Sequence, residues 1–354
     1  MPDPAPASPT RRTLAFGVVV LLCLTALATY LLVQRSRDAA AAEAAADREA
    51  ATSRLQVEDV LEVPHLVVRN TAPGPSFGKV ALIPLDDPTG PRAIVDVACD
   101  RISATPSGAL CLQQVTGMLT TYRAVFLDEQ LREVGAAEVG GVPSRARVSA
   151  GGSWGASTVF VSGHAYTDAQ FSTETLITDL TTRTSLGNLE TWTTVRDGEE
   201  ITAVDRNYWG VSFIGDGPGF YATLGTGDRI FLVKGDVGTR TMEVVGTEGG
   251  CPSVSPDGRT VVYKEVDPES RNEHFVAAGL AEGDLDGRPA VPLGEGRLVD
   301  DQVAWLDDDT VLYAVGRGVS SSVDFDVWSS PVDGGAPTLL IPDAASPSVV
   351  IPEG

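Results

Sequence analysis

The chain has 354 residues, is 43% hydrophobic, and carries 48 acidic against 26 basic side chains for a formal net charge of −22. That apolar content supports one large or two ordinary globular domains and excludes a wholly disordered chain. The acidity excludes a nucleic-acid surface, which needs clustered Lys and Arg to displace counterions, and reads as a solvated, self-repelling exterior.

Residues 1–13 are Pro-rich and expected to be a disordered tail. Leu14 to Val33 (LAFGVVVLLCLTALATYLLV) then run without a charge, for about twenty residues, the length of a helix that crosses a bilayer. Arg11 and Arg12 precede it and Arg35 and Arg37 follow it, so basic residues alone leave its orientation open. Two alternatives to a retained anchor are a cleaved signal peptide, from the small residues in RDAAAAEAAA, and a twin-arginine export signal, from TRRTLAF. The apolar run is longer than the roughly 7 to 15 residues usual in a cleaved signal. The expected topology is therefore a single-pass membrane protein with its N-terminus in the cytoplasm and the rest outside, secretion after cleavage being the alternative. Residues 34–61, dominated by Ala, Glu and Arg without Gly or Pro, are expected to continue as a helical stalk. They show no sustained heptad.

Export makes oxidation available. In DVACDRISATPSGALCL the turn TPSG folds Cys99 and Cys111 nearly opposite each other on neighbouring strands, so a disulfide is expected there. Cys23 lies in the apolar run and reads as a small hydrophobe; Cys251 reads as a packed thiol.

From Pro64 to the end, short β-branched and aromatic runs are punctuated by Gly, Pro, Asp and Ser. DRISATPSGALCL and ARVSAGGSWGASTVFV share an Arg, a β-branched residue, Ser and Ala before a turn, with an apolar run after it. YWGVSFIGDGPGFYATL, CPSVSPDGRTVVYKE and QVAWLDDDTVLYAV repeat the scheme. A period of roughly 40 to 60 residues with room for four strands is that of a β-propeller. Five units begin inside the chain, near Cys99, Arg147, Trp209, Cys251 and Val303. HLVVRN, GKVALIPL and PRAIVDV give three strands of a sixth, whose innermost strand SPSVVIP at the C-terminus supplies. The fold class is thus all-β, a six-bladed propeller over 64–354 closed by the C-terminal strand, which leaves no exposed sheet edge at the seam. Seven blades is the alternative if the interval from Arg147 to Trp209 hides another.

SPDG followed by an apolar strand, together with DVWSSPVDGGAPTLLIPDAASPSVV, resembles the repeats of TolB-type six-bladed β-propellers. The motif identifies a blade type, not an activity. The resemblance implies an extracytoplasmic location and envelope partners. The chain departs from the envelope protein of that group in having too few residues between stalk and Pro64 for its additional α/β domain, and from the peptidase members in having no hydrolase domain after the propeller. An apolar anchor before a lone propeller is similar to the membrane-anchored TolB-like proteins of high-GC Gram-positive bacteria.

Motifs that carry chemistry are scarce. GGSWG has the form of a nucleophile elbow, but that chemistry needs a strand-turn-helix and a His; here Ser153 falls in a hairpin corner. His65, His164 and His274 lie far apart without metal-ligand spacing. DLDG at Asp284 and DDD at Asp307 read as tight turns rather than calcium loops. No metal or cofactor is expected, and no catalytic residue stands out. Trp209 and Trp305 read as blade packing.

SPDG-type corners lie on one face of a propeller; the loops joining second to third strands, and each blade to the next, lie on the other. The longer loops of that second face, at 162–172, 196–207, 265–274 and 316–324, are where binding residues concentrate. His164, Tyr166, Asp168, Arg206, Asp267, Arg271 and His274 are the candidate partner-facing residues. The expected function is a non-catalytic, membrane-anchored scaffold that binds an envelope protein or cell-wall component and contacts the bilayer through Leu14 to Val33. A propeller hydrolase or lyase using channel-mouth carboxylates on a glycan is the alternative.

Overall fold

The computed structural model describes residues 9–52, 55–161, 172–247, 249–266, 272–280, 285, 288–317 and 324–352. It contains a helical unit and a propeller unit, each taken by itself.

Helix α1 spans Pro9–Thr52, so it takes in Pro9–Thr13, which the sequence reading left in the tail. Within it, Phe16–Arg37 is a 22-residue apolar stretch long enough to cross a membrane. Its Thr and Ser hydroxyls bond their own helix: Thr25 Oγ1 donates to Leu21 O and Leu22 O, Thr29 Oγ1 to Thr25 O, and Ser36 Oγ to Val33 O. Such back-bonding is what an apolar surrounding demands of a hydroxyl.

The region expected as one helical stalk is divided. Short helix α2, Val57–Leu61, follows α1 and belongs to the propeller unit. Its Val60 is buried, and Leu55, Val57 and Leu61 pack with it against the core shared by the first two blades. The apolar spacing of residues 55, 57, 60 and 61 is that of a docked face, not of a free spacer.

Six sheets follow, one per blade. Blade 1 joins Ala344–Val350 to His65–Asn70, Lys79–Pro84 and Ala93–Ala98; His65 pairs with Val350 and Asn70 with Ala344, so both chain ends close the ring in one sheet. Blade 2 comprises Arg101–Thr105, Gly108–Val115, Thr121–Leu127 and Glu133–Glu138. Blade 3 comprises Val142–Val148, Trp154–Val161, Ser172–Asp179 and Thr184–Asn188. Blade 4 is Asn207–Phe213, Gly219–Thr226, Arg229–Asp236 and Thr241–Thr247. Blade 5 is Gly249–Val254, Thr260–Val266, Glu273–Gly279 and Ala290–Pro292, and blade 6 is Ala304–Trp305, Thr310–Gly316, Phe325–Pro331 and Thr338–Ile341. The long interval before Trp209 hides no seventh blade. It forms a hairpin, Thr193–Arg196 with Glu199–Glu200, that extends the outer edge of blade 4 by parallel pairing to Thr241–Glu243.

The inner strands of blades 4, 5 and 1 carry the same irregularity, a bulge with positive φ at Gly210 (65°), Cys251 (51°) and Ser346 (53°). A bulge re-aims the side chains that follow it. Those are serines, and they bond to the inner strand of the next blade. Ser348 Oγ accepts from Ala104 N and Ser212 Oγ from Val254 N, while Ser253 Oγ donates to Val303 O; Ser103 Oγ of blade 2 likewise accepts from Val148 N. Between blades 3 and 4, Thr173 and Thr175 both donate to Tyr208 O. The small polar residues around the channel are therefore occupied in holding blade to blade.

The disulfide joins Cys99 and Cys111, tying the approach of blade 2's first strand to its second. Cys251 is buried and reduced.

Candidate functional site

The inner strand of each blade starts at one face, called the mouth here, and ends at the SPDG-type corners on the other. Chain arriving from α2 enters at the corner face, because His65 opens the second strand of blade 1. The mouth face is opposite.

A cavity of about 820 Å³ lies at the mouth, lined by the starts of inner strands (Arg145, Asn207, Trp209, Cys251), by the ends of second strands and starts of third strands (Phe160, Lys264, Glu273), and by Asp300. Trp209 lies over Gly225, where a Cβ would come within 2.9 Å of its ring. The glycine makes room for the indole, so Trp209 is part of the cavity wall as well as of blade packing.

Below the mouth the channel is blocked. Arg147 of blade 3 donates to Gln302 O and Val303 O of blade 6 at 3.0 and 2.5 Å, and Gln302 Nε2 donates to Val211 O of blade 4 and Pro252 O of blade 5. These bonds span several blades and make the mouth a blind recess. Arg101 Nε donates to Ser144 O at 2.7 Å, and Arg145 pairs with Asp300 at 2.8 Å. Asp301 accepts from Gln302 N and Ala314 N. Loss of hydration works to raise the Asp300 pKa, but the Arg145 guanidinium outweighs it and holds the carboxyl below its ordinary value. Lys264 is buried, 3.3 Å from Glu273 and over the Phe275 ring.

A general acid of glycoside chemistry needs a raised pKa and a second, free carboxylate. Of the acids at the mouth, Asp300 is paired with Arg145, Asp301 is hydrogen-bonded to backbone and Glu273 lies 3.3 Å from Lys264, while Asp228 lines the cavity from an exposed turn. Ser153 is equally committed, its Oγ donating to Asp216 Oδ2 at 2.8 Å inside a corner. Among the described residues, no group of three or more His, Cys, Asp or Glu side chains is placed to hold a metal ion.

Of the residues singled out from sequence, His164, Tyr166, Asp168, Asp267 and Arg271 lie outside the described residues. Arg206 sits in the inter-blade loop on the mouth side, where its guanidinium bonds Ile201 O and Glu190 O and so holds that loop. His274 is on the mouth edge of blade 5, Nε2 3.6 Å from Glu265. Neither lines the cavity. Sequence reasoning passed over Arg101, Arg145 and Arg147, although RISAT and RARVS placed arginines at matching points of two repeats.

A second feature marks this face. The propeller's large apolar side chains that stay exposed gather on it: Phe77, Met118, Leu119, Phe160, Val204 and Leu298 all lie on second-to-third-strand or inter-blade connections or their flanking strand ends. Leu119, Val204 and Leu298 are 82%, 81% and 73% exposed. Among the described residues the corner side has Val63 and Ile351 and, at the starts of outer strands, Val134 and Leu339, none of them more than 54% exposed. Scattered single apolar residues need no explanation, but concentration on one face does.

This architecture defines a six-bladed β-propeller closed by its C-terminal strand. Comparison with solved structures gives it TolB-like neighbours. TolB from Acinetobacter baumannii superposes with a TM-score of 0.52 at 16% identity, over 82% of this chain and 66% of that one. A protein assigned as TolB from Agrobacterium tumefaciens gives a TM-score of 0.47 at 12% identity, over 80% and 91%. The chain thus spans just under two thirds of the length of the first of these, and the likeness is one of fold. No family model and no curated protein matches the sequence.

Proposed function

We propose that this protein is a membrane-anchored, extracytoplasmic scaffold that binds an envelope protein or cell-wall component on the mouth face of its propeller and catalyses no reaction. The observation that carries the reading is the gathering of exposed apolar side chains, Met118, Leu119, Val204 and Leu298 among them, around an 820 Å³ recess on one face. Such a surface is costly to leave in water and suits a partner that covers it. The blind channel and the paired state of Asp300 support binding over turnover. The apolar stretch Phe16–Arg37 supports an anchor, and TolB-like neighbours support a scaffold in the envelope.

Crosslinking in intact cells tests this. One stoichiometric envelope partner is expected from the native chain. Absence of any partner together with turnover on cell-wall fragments would overturn it. Topology is tested separately: a thiol probe that does not cross membranes should label Met118→Cys in intact cells, and labelling only after lysis would contradict an extracytoplasmic propeller.

A further inference from the structure

A second cavity, of about 570 Å³, opens on the corner face at the seam between blades 1 and 2. Glu58 and Leu61 of α2 line it with Glu62, which caps that helix; at a spacing of three and four residues they share one face. The blade 2 corner at Thr105 to Ser107, the turn at Glu129 to Leu131, and Val350 and Pro352 at the chain end line the rest. His65 and Val67 line it too. They stand two apart on strand His65–Asn70, so their side chains share one face of the sheet. Val67 packs there against blade 2, while Leu66 and Val68 on the alternate face pack with blade 6. It is thus the imidazole of His65 that the pocket meets.

His65 is 1% exposed, and one of its ring nitrogens is already used. Nδ1 lies 2.7 Å from Val63 O; a carbonyl only accepts, so Nδ1 carries the proton. Burial works to lower the His65 pKa and outweighs the raising effect of that bond, which keeps the ring neutral at neutral pH. Nε2 is then a bare lone pair, and it has no hydrogen-bond partner among the described residues. A buried acceptor without a donor is costly, so the atom calls for an N–H or O–H from outside. The walls favour a donor that carries positive charge, because Glu58, Glu62 and Glu129 line the pocket and no Lys or Arg does. All three carboxylates are exposed, and Glu129 accepts only from the neutral Gln130 Nε2 among the described residues. They do not gather tightly enough to hold a metal ion.

We propose that this pocket binds a primary ammonium group, which donates one N–H to Nε2 of His65 while the carboxylates of Glu58, Glu62 and Glu129 balance its charge. An ammonium is a compact point charge with three donors, small enough at its tip to reach a recessed lone pair. A guanidinium is a broad planar fork better suited to carboxylates. Leu61, Leu131 and Pro352 in the same walls suit the carbon chain behind the charge. The source is a free alkylamine or a lysine side chain. The site stands on the face opposite the mouth, so it neither rests on the docking reading nor falls with it.

The test uses the full chain in detergent micelles, titrated with n-butylamine and followed through the ¹⁵N resonance of His65 Nε2, one of only three histidines in the chain. Saturable one-site binding that moves this resonance is expected. It should be about tenfold tighter than for n-butanol, which lacks the charge, or tetramethylammonium, which lacks the N–H. Tighter binding of Nα-acetyl-lysine amide than of butylamine identifies a lysine side chain as the source, and equal or weaker binding a free amine. His65→Phe should weaken butylamine about tenfold, and Glu58→Gln combined with Glu62→Gln about threefold. Glu138→Gln on the outer strand of blade 2 should change nothing, with melting curves checking that each variant folds. Should His65→Phe be unfolded, the double variant decides. Unsaturable binding, a His65 resonance that does not move, either control binding as well as butylamine, or unchanged binding by the deciding variant would overturn the site.

Discussion

Asp216 of blade 4 reaches the corner of blade 3 and accepts a hydrogen bond from Ser153 Oγ at 2.8 Å. The same carboxylate takes Ser149 Oγ at 2.8 Å and the amides of Gly151 and Ser153 at 3.1 and 3.2 Å. GGSWG is thus a corner gripped by the neighbouring blade. Blades 5 and 6 repeat the device, with Asp308 accepting from Asp257 N at 3.0 Å.

Ser153→Ala should therefore leave any function intact and cost only a hydrogen bond, while Asp216→Ala should cost about 1 to 2 kcal/mol in denaturant titration by leaving four donors without their acceptor. Desolvation works to raise the Asp216 pKa, but the bonds from Ser149, Ser153 and Gly151 outweigh it and lower it. A carboxylate with a depressed folded pKa contributes stability above its unfolded value and loses it as pH falls through the folded one. Acid melting below about pH 4 should accordingly be less steep in Asp216→Asn.

Much of the propeller is legible in the sequence because its signals are local. The hairpin corner, the turn at TPSG and the terminal strand each declare themselves within a dozen or so residues. The mouth is not, because it is made between blades. Arg147 finds Gln302 and Val303 across the channel, and Arg145 finds Asp300, over separations of about 155 residues that no periodicity encodes. Arg206 shows the converse: an Arg on a mouth-side loop looked free in sequence, yet its guanidinium folds back onto Glu190 O.

Glu295 is buried yet ionic, held by Arg297 Nε and a terminal guanidinium nitrogen at 2.7 and 2.5 Å and by Tyr313 Oη at 2.8 Å, with Arg297 stacked 3.9 Å from the Trp328 ring. Removing one member of such a group leaves the other uncompensated. Arg297→Ala should cost about 3 kcal/mol or more, exceeding Glu295→Ala, because it strands the buried Glu295 carboxylate whereas the partly exposed Arg297 can be hydrated. The ordering is read from urea midpoints.

The Cys99–Cys111 link closes a short loop, and the chain-entropy account assigns such a closure about 2 to 3 kcal/mol. Cys111→Ala, or reduction of the native chain, should lower the urea midpoint accordingly. An unchanged midpoint on reduction would mean that the bridge is dispensable.

Closure of the ring rests on Arg92 as well as on strand pairing: its guanidinium bonds Asn70 Oδ1 at 2.8 Å and the Asp343 and Pro342 carbonyls at 3.0 Å, joining the two chain ends. Arg92→Ala should lower the melting temperature by several degrees. Truncation before Ala344 removes the inner strand of blade 1 and should abolish cooperative melting, because the exposed inner edge of His65–Asn70 then lacks its partner.

The mouth face as docking surface is tested most directly by placing charge on it. Leu119→Asp and Val204→Asp, compared with Val291→Asp and Leu339→Asp on outer strands, should leave melting temperatures alike but abolish crosslinking to the partner only in the first pair. Retention of the partner by both mouth variants, with loss in either outer-strand variant, would contradict the assignment.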